Sequence, residues 1–239
     1  FYSPFSIALF LHPEEANSFR TRFDSDSFDR RLSILPFIAT EPGVYPINKL
    51  RNLAIQNSKT NHFWLADLDM WPSGPFLSFA SPIENLYANI LSLPSQYLDD
   101  DHLAIIVPAF EVYSSSCKSF EECSSRVDRQ FPQNKRGLLA CIRSRRCNTF
   151  RPWDQLHDYH FAKWFFASYT PLLTPVSCFK GRTQEPYIVV KKSEFLPSFD
   201  ERFINYAYNK VQWIEHLRYR GYAFSILTKG FAVDVPHPM

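Results

Sequence analysis

The chain has 239 residues, 45% of them hydrophobic and 21% charged, with a net charge of +2. That balance fits a folded globular protein with a sizeable core and excludes a disordered chain; mixed charge without a basic aromatic stripe gives no footprint for nucleic acid. The longest apolar runs, IALFL and LAIIV, fall far short of the roughly 20 residues that a membrane helix needs, so no transmembrane segment is expected in this fragment. The chain opens at Phe1 almost directly on an apolar run, and the expectation is a piece of a longer protein with any signal or anchor upstream.

In chain order, apolar runs at residues 5–11, 33–39, 62–67, 103–107, 187–191 and 223–227 predict strands. Helical patterns lie between several of them: residues 12–24, with Glu14 and Glu15 in the first turn, residues 47–58, and residues 203–221, closed by Gly221 as a C-cap. Strand and helix alternate, which predicts an α/β fold with a mostly parallel central sheet and helices on both sides. Residues 112–182 are polar, irregular and cysteine-bearing, and read as an insertion into a single domain spanning residues 1–239.

Four cysteines, Cys117, Cys123, Cys141 and Cys147, form two C-x5-C pairs, where a zinc ribbon would use C-x2-C. Disulfides are expected, with pairing inside each C-x5-C the first choice among three connectivities because short loops close easily, and with Cys178 outside them. The alternative is free thiols packed as small hydrophobes. Disulfides would place the protein in an oxidising compartment.

The stretch HFWLADLDMWPS, residues 62–73, ends a predicted strand on Asp67 and Asp69. In open α/β sheets ligands gather at the carboxyl ends of strands, and two carboxylates in D-x-D spacing converge naturally on a hard divalent cation. The competing reading is that of ordinary turn or N-cap aspartates.

The surroundings bear on that choice. YPINKLRNLAIQ precedes the strand, FWLADLDMWPS contains its end, and AIIVPAFE, FAKW, QEPYIVV and FDERFINYAYNKVQWIEHLRYRGYAFSIL follow in order. Together these blocks resemble the glycosyltransferase family 49 domain of LARGE-type and related β-1,4-glucuronyltransferases, from about Phe5 to the last residue and interrupted by the cysteine-bearing middle. The resemblance implies a Rossmann-like GT-A fold, a DxD motif holding Mn2+ (Mg2+ as the alternative) and the diphosphate of a UDP-sugar, and inversion at the anomeric carbon. It further implies a glycan or glycoprotein acceptor and the Golgi lumen.

By the same resemblance, Asp69 is the direct metal ligand, and Asp67 holds the ribose or the water shell of the ion. Asp234 stands where the family pattern F-x-[IV]-H has a histidine, while His237 matches a second histidine further on. Register along the strand favours Asp234 over His237 as the remaining ligand, with the chain expected to turn away after Pro236. Asn48, Arg51 and Asn52 of the predicted helix are candidate donor contacts, with the solvated face of that helix as the alternative for Arg51 and Asn52, and so is Lys163 beside Trp164, although Lys163 also reads as a solvated lysine next to a core tryptophan. Before FAKW the family's PTN is replaced by Asp158, Tyr159 and His160, which leaves the donor sugar open, glucuronate being the first expectation.

For the base, Glu185 in QEPY is favoured because a glutamate wedged between Gln184 and Pro186 has little structural reason to be acidic. Asp200 is the second candidate, with an N-cap to a helix starting near Arg202 as its structural alternative. The functional alternative is a catalytically silent GT-A domain that binds glycans or a partner. A metal phosphohydrolase would need more carboxylates and histidines around the two aspartates.

Overall fold

A computed structural model describes residues 4–25, 30–74, 86–113, 117–128, 131–154, 156–158, 161–167, 171–181 and 183–237; Tyr159 and His160 lie outside them. The chain runs β1 (Phe5–Leu11), a 3-10 turn, α1 (Ala16–Ser25), β2 (Leu32–Ile38), α2 (Ile47–Asn57), β3 (His62–Trp64) and β4 (Met70–Pro72). It continues through α3 (Leu86–Leu91), α4 (Ser95–Leu98), β5 (Leu103–Ile106), β6 (Ala109–Val112), α5 (Phe120–Asp128), α6 (Lys135–Arg143) and β7 (Cys147–Thr149). The last elements are α7 (Phe161–Phe166), β8 (Leu173–Val176), β9 (Ile188–Lys191), α8 (Asn209–Tyr219), β10 (Ala223–Leu227) and β11 (Ala232–Asp234).

Three sheets result. β1 and β2 pair in parallel around the α1 crossover, a five-stranded sheet runs β3-β9-β5-β10-β8, and a four-stranded sheet runs β4-β11-β6-β7. LAII of β5 is buried on both faces, which is why its sequence is continuously apolar and not alternating. Side chains alternate between two cores: Ala104, Ile106, Ile188, Val190, Phe224 and Ile226 face one, Leu103, Ile105, Val189 and Leu227 the other. The first core is closed by Leu138 of α6, Trp164 of α7 and Trp213, Ile214 and Leu217 of α8, and the second by Leu86 of α3. Helices therefore cover both sides, as expected. Each fully buried Ile or Leu in these layers contributes about 1.5–3 kcal/mol.

The expectation of a mostly parallel sheet is corrected. In the five-stranded sheet only β5/β10 is parallel; β3/β9, β5/β9 and β8/β10 are antiparallel. Periodicity reports that a segment is a strand but not its direction; β8 lies within the long cysteine-bearing segment and β9 just after it, and both enter the sheet antiparallel to a neighbour. The strand expected over residues 62–67 shortens to His62–Trp64, because the chain turns at Asp67, whose carbonyl accepts from Met70 N–H, and leaves for the other sheet. The helix expected from residue 203 begins only at Asn209. Asn205, Ala207 and Tyr208 sit at φ 57°, 113° and 52°, a left-handed path that no α-helix follows. No helix starts near Arg202, so Asp200 caps none; its carboxylate accepts from Arg202 N–H in a turn.

Both expected disulfides, Cys117–Cys123 and Cys141–Cys147, are present, and Cys178 belongs to neither. No helix among the described residues is long and apolar enough to cross a membrane. Gly221 sits at φ 81° after α8, where Gly221 N–H and Tyr222 N–H bond back to Arg218 and Leu217, the expected glycine C-cap.

Helix α2 is fastened to residues 199–201 by two buried amides. Asn52 Nδ2 donates to Phe199 C=O at 2.9 Å and its Oδ1 accepts from Phe199 N–H at 2.9 Å, while Asn48 Nδ2 donates to Asp200 C=O at 2.8 Å. Asn52→Ala strands both Phe199 backbone groups in the interior and is expected to lower unfolding free energy by about 2–3 kcal/mol in a urea titration. An unchanged midpoint would show that Asn52 is not a structural clamp.

Candidate functional site

The two aspartates lie in the turn between the two larger sheets. β3 ends one sheet and β4 begins the other, so Asp67, Leu68 and Asp69 span the gap, with Leu68 exposed and the carboxylates directed to different neighbourhoods. β11 then fixes the second half of the site. It pairs antiparallel with β4, Asp234 opposite Met70, and parallel with β6, Asp234 opposite Glu111. Val235 N–H continues the ladder by donating to Asp69 C=O at 2.9 Å.

This pairing brings Asp69, Asp234 and His237 together. One ligand atom from each lies within 4.8 Å of the others, the one such group of His, Cys, Asp and Glu side chains among the described residues. His237 Nδ1 is 3.5 Å from Asp69 Oδ2 and 3.3 Å from Val235 C=O. The expected turning away after Pro236 does not occur, because the Val235–Asp69 bond carries the chain alongside the aspartate turn. Burial, with Asp69 next to it, pushes the Asp234 carboxyl up to about 7. Two carboxylate oxygens and an imidazole nitrogen are a donor set that would suit Mn2+ or another borderline divalent ion, whose charge would oppose the burial and the Asp69 repulsion that raise Asp234.

Asp67 has a different environment. Its Oδ2 accepts from Tyr187 Oη at 2.7 Å and from Lys210 Nζ at 2.9 Å, and Lys210 also reaches Glu185 Oε1 at 3.2 Å. Burial works against its charge, but Lys210, Tyr187 and Arg51 outweigh that and hold the Asp67 carboxyl below its ordinary range. Tyr187 is correspondingly held protonated, first by burial and then by Asp67. His157 stacks on the Tyr187 ring, centroids 5.4 Å apart, and burial with Lys210 and Arg151 nearby drives it down to about 3, so it is neutral at working pH.

Of the other predicted residues, Arg51 projects from α2 toward this cluster and donates from Nη1 to Asn209 Oδ1 at 2.7 Å and to Asn48 Oδ1 at 3.0 Å. Its guanidinium feels Asp67 and Glu185, which oppose the lowering caused by burial. Asn48 stands behind it, whereas Asn52 is committed to Phe199. Glu185 is half-buried at the cluster, its N–H donating to Leu156 C=O. Asp200 is paired with Arg202 at 2.6 Å and bonds to none of Asp67, Asp69 or Glu185. Lys163 is exposed on α7, next to a fully buried Trp164 whose Nε1 donates to Leu227 C=O. Lys210 escaped the sequence reading. Its only signal was a lysine at the second position of a helix, where an acidic residue is the favoured choice.

The model of the family described as "Glycosyl-transferase for dystroglycan" matches residues 37–234. The chain belongs to this glycosyltransferase family. Over 98% of its length it is 31% identical to the xylosyl- and glucuronyltransferase LARGE1 of Mus musculus, 31% to LARGE1 of Homo sapiens and 30% to LARGE2 of Mus musculus. The chain spans only 28% of LARGE1 and 31% of LARGE2. The glycosyltransferase-family match ends at Asp234, so both the aspartate turn and β11 lie inside it.

Asp234 ties this site to stability. Its folded value, about 7, lies above the ordinary 3.8, so its stabilising contribution is complete below about pH 4 and is lost as pH rises through 7. Asp234→Asn is therefore expected to raise the melting temperature of the metal-free protein at pH 8, with the gain over wild type vanishing toward pH 4, and to weaken Mn2+ binding strongly. Equal melting at pH 8 would mean that the carboxylate is not held against repulsion.

Proposed function

We propose that the chain is the catalytic GT-A domain of an inverting, metal-dependent glycosyltransferase that moves a sugar, glucuronate first, from a UDP-sugar to a glycan or glycoprotein acceptor. The carrying observation is the convergence of Asp69, Asp234 and His237 next to the Asp67–Lys210–Glu185 cluster, in a chain of this family.

The residues divide the work. Asp69, Asp234 and His237 hold Mn2+, or Mg2+ in its place, which when bound neutralises charge on the diphosphate. Asp67, fixed through one oxygen by Tyr187 and Lys210, presents a rigid acceptor to the donor's ribose or sugar hydroxyls. Arg51 adds a cation on the donor side. Glu185, kept in place by Lys210, takes the proton of the acceptor hydroxyl as its oxygen attacks the anomeric carbon. The bond from that carbon to the phosphate oxygen breaks with its electron pair leaving on UDP, and attack opposite the leaving group inverts the centre. The two disulfides support a setting in the secretory pathway, with the Golgi lumen as the proposed site of action.

Purified protein with Mn2+ is to be screened against UDP-glucuronate, UDP-xylose, UDP-galactose and UDP-N-acetylglucosamine, reading UDP release in the presence of glycan acceptors. Turnover with one donor is expected. UDP binding without turnover for any donor would favour a silent binding module instead. Asp69→Asn is expected to abolish the Mn2+-dependent thermal shift with UDP while the fold stays intact. Glu185→Gln should keep that shift and lose roughly 10²-fold or more in turnover; a Glu185→Gln protein of wild-type rate would assign the base elsewhere.

A further inference from the structure

Between β7 and α7 the chain makes a loop whose first residues read FRPWD. Rings close the base of this loop. Phe150 and His157, both buried, meet with centroids 4.8 Å apart, and both pack on Tyr187, the residue that donates to Asp67. Hydrogen bonds fix the backbone between them: Arg151 N–H to Glu111 Oε2 at 3.1 Å, Asp154 N–H to Arg151 C=O at 3.3 Å, Leu156 N–H to Asp154 Oδ1 at 3.1 Å and Glu185 N–H to Leu156 C=O at 2.8 Å. Arg151 is held at φ 43°, a left-handed conformation that a non-glycine residue keeps only where its surroundings over-determine it, and the Pro152 ring fixes the next φ.

The outer two of these bonds join the loop to both halves of the site. Glu111 stands opposite Asp234 in the β6/β11 pair, and Glu185 is paired with Lys210. Between the two anchors in sequence comes Trp153, 73% exposed. Two residues of chain span at most about 7 Å, so the Trp153 backbone stays that close to the residue bonded to Glu111. The other four tryptophans, Trp64, Trp71, Trp164 and Trp213, are buried or half-buried. Among the described residues no ring and no hydrogen-bond partner engages the Trp153 indole. A side chain this large and apolar, left in water on a firmly fixed backbone, contributes little to the fold by burial.

We propose that Trp153 is the stacking platform for the acceptor, its indole face lying against the pyranose ring that carries the attacking hydroxyl. The inference rests on the glycosyltransferase reading above. Ring chemistry selects the occupant: the face of an indole is electron-rich, the C–H face of a pyranose is apolar with partial positive charge on its hydrogens, and the hydroxyls at the edge of the sugar stay free for Glu185 and for water. Position selects the acceptor over uracil, the other flat ring in the proposed reaction. The loop is rooted on Glu185, the residue assigned to the acceptor hydroxyl, while Asp67 and Arg51 are assigned to the donor. Because the loop is fixed before binding and an indole turns about only two side-chain torsions, little ordering entropy opposes the contact.

The test compares wild type with W153A, W153F and, as a control, Y219A, whose ring is also exposed but stands at the opposite end of α8 from Lys210. The probes are the neutral β-linked disaccharides cellobiose, xylobiose and lactose, and separately UDP with Mg2+, which spares the NMR signals that Mn2+ would broaden. Binding is read on the sugar by saturation-transfer NMR and on the protein by its indole N–H signals, that of Trp153 being the one W153F lacks. At least one disaccharide is expected to move the Trp153 signal in wild type. W153A should bind that sugar roughly tenfold more weakly, W153F should fall between the two, and Y219A should match wild type. Melting temperature and Mg2+-dependent UDP affinity should be those of wild type in W153A. A Trp153 signal that no disaccharide moves overturns the proposal, as does equal sugar affinity in wild type and W153A, or an equal loss in Y219A. Loss of UDP affinity in W153A with sugar binding unchanged assigns the platform to uracil and also overturns it. Failure of wild type to bind UDP with Mg2+ would instead refute the donor reading, which the disaccharide titrations do not depend on.

Discussion

The pairing of β11 with β4 on one side and β6 on the other is the constraint from which the site follows. β11 is three residues long, and Ala232 and Val233 are fully buried, so its register is set by packing against the core. In that register Asp234 stands beside Asp69 and opposite Glu111, three carboxylates drawn from three distant parts of the chain. A one-residue slip would send Asp234 to the opposite face and dismantle the arrangement. The fold thus buries Asp234 and holds it beside a like charge, and both raise its carboxyl.

A second anchor sets the Asp67 side of the site. The left-handed segment over residues 205–208 is held by reciprocal bonds between Tyr45 and Asn205, and it determines where α8 begins. Because the helix starts at Asn209, Lys210 falls on its first turn and reaches both Asp67 and Glu185. Three non-glycine residues at positive φ cost roughly 1–3 kcal/mol each, and such strain persists where surrounding contacts over-determine it, commonly at functional sites. Asp67 and Asp69, separated only by Leu68, therefore face different chemistry: Asp69 joins Asp234 and His237, and Asp67 an ion-pair network that keeps it ionised.

The sequence made some of this legible and hid the rest for physical reasons. Apolar periodicity located β1, β5, β9, β10, α2 and most of β2, since burial is written locally in residue type. The cysteine spacing pointed to both disulfides, and Gly221 to the end of α8. Strand direction was not legible, because it depends on where the chain returns. The late start of α8 was hidden too: Asn205, Ala207 and Tyr208 are ordinary residues in an amphipathic pattern, and only their tertiary bonds force φ positive. Asp69, Asp234 and Glu185 were readable as candidates through motif and resemblance. Lys210 was not, since its role arises from a contact spanning 143 residues.

The position of a bound cation tests the β4/β11/β6 register most directly. Crystals grown with Mn2+ and UDP, measured at the manganese absorption edge, give that position without reference to activity. One anomalous peak is predicted within bonding distance of the Asp69 and Asp234 carboxylates and the His237 imidazole, with Asp67 still paired to Lys210. A peak elsewhere, or none at saturating Mn2+ and UDP, would contradict the claim that the β4/β11/β6 register builds the site.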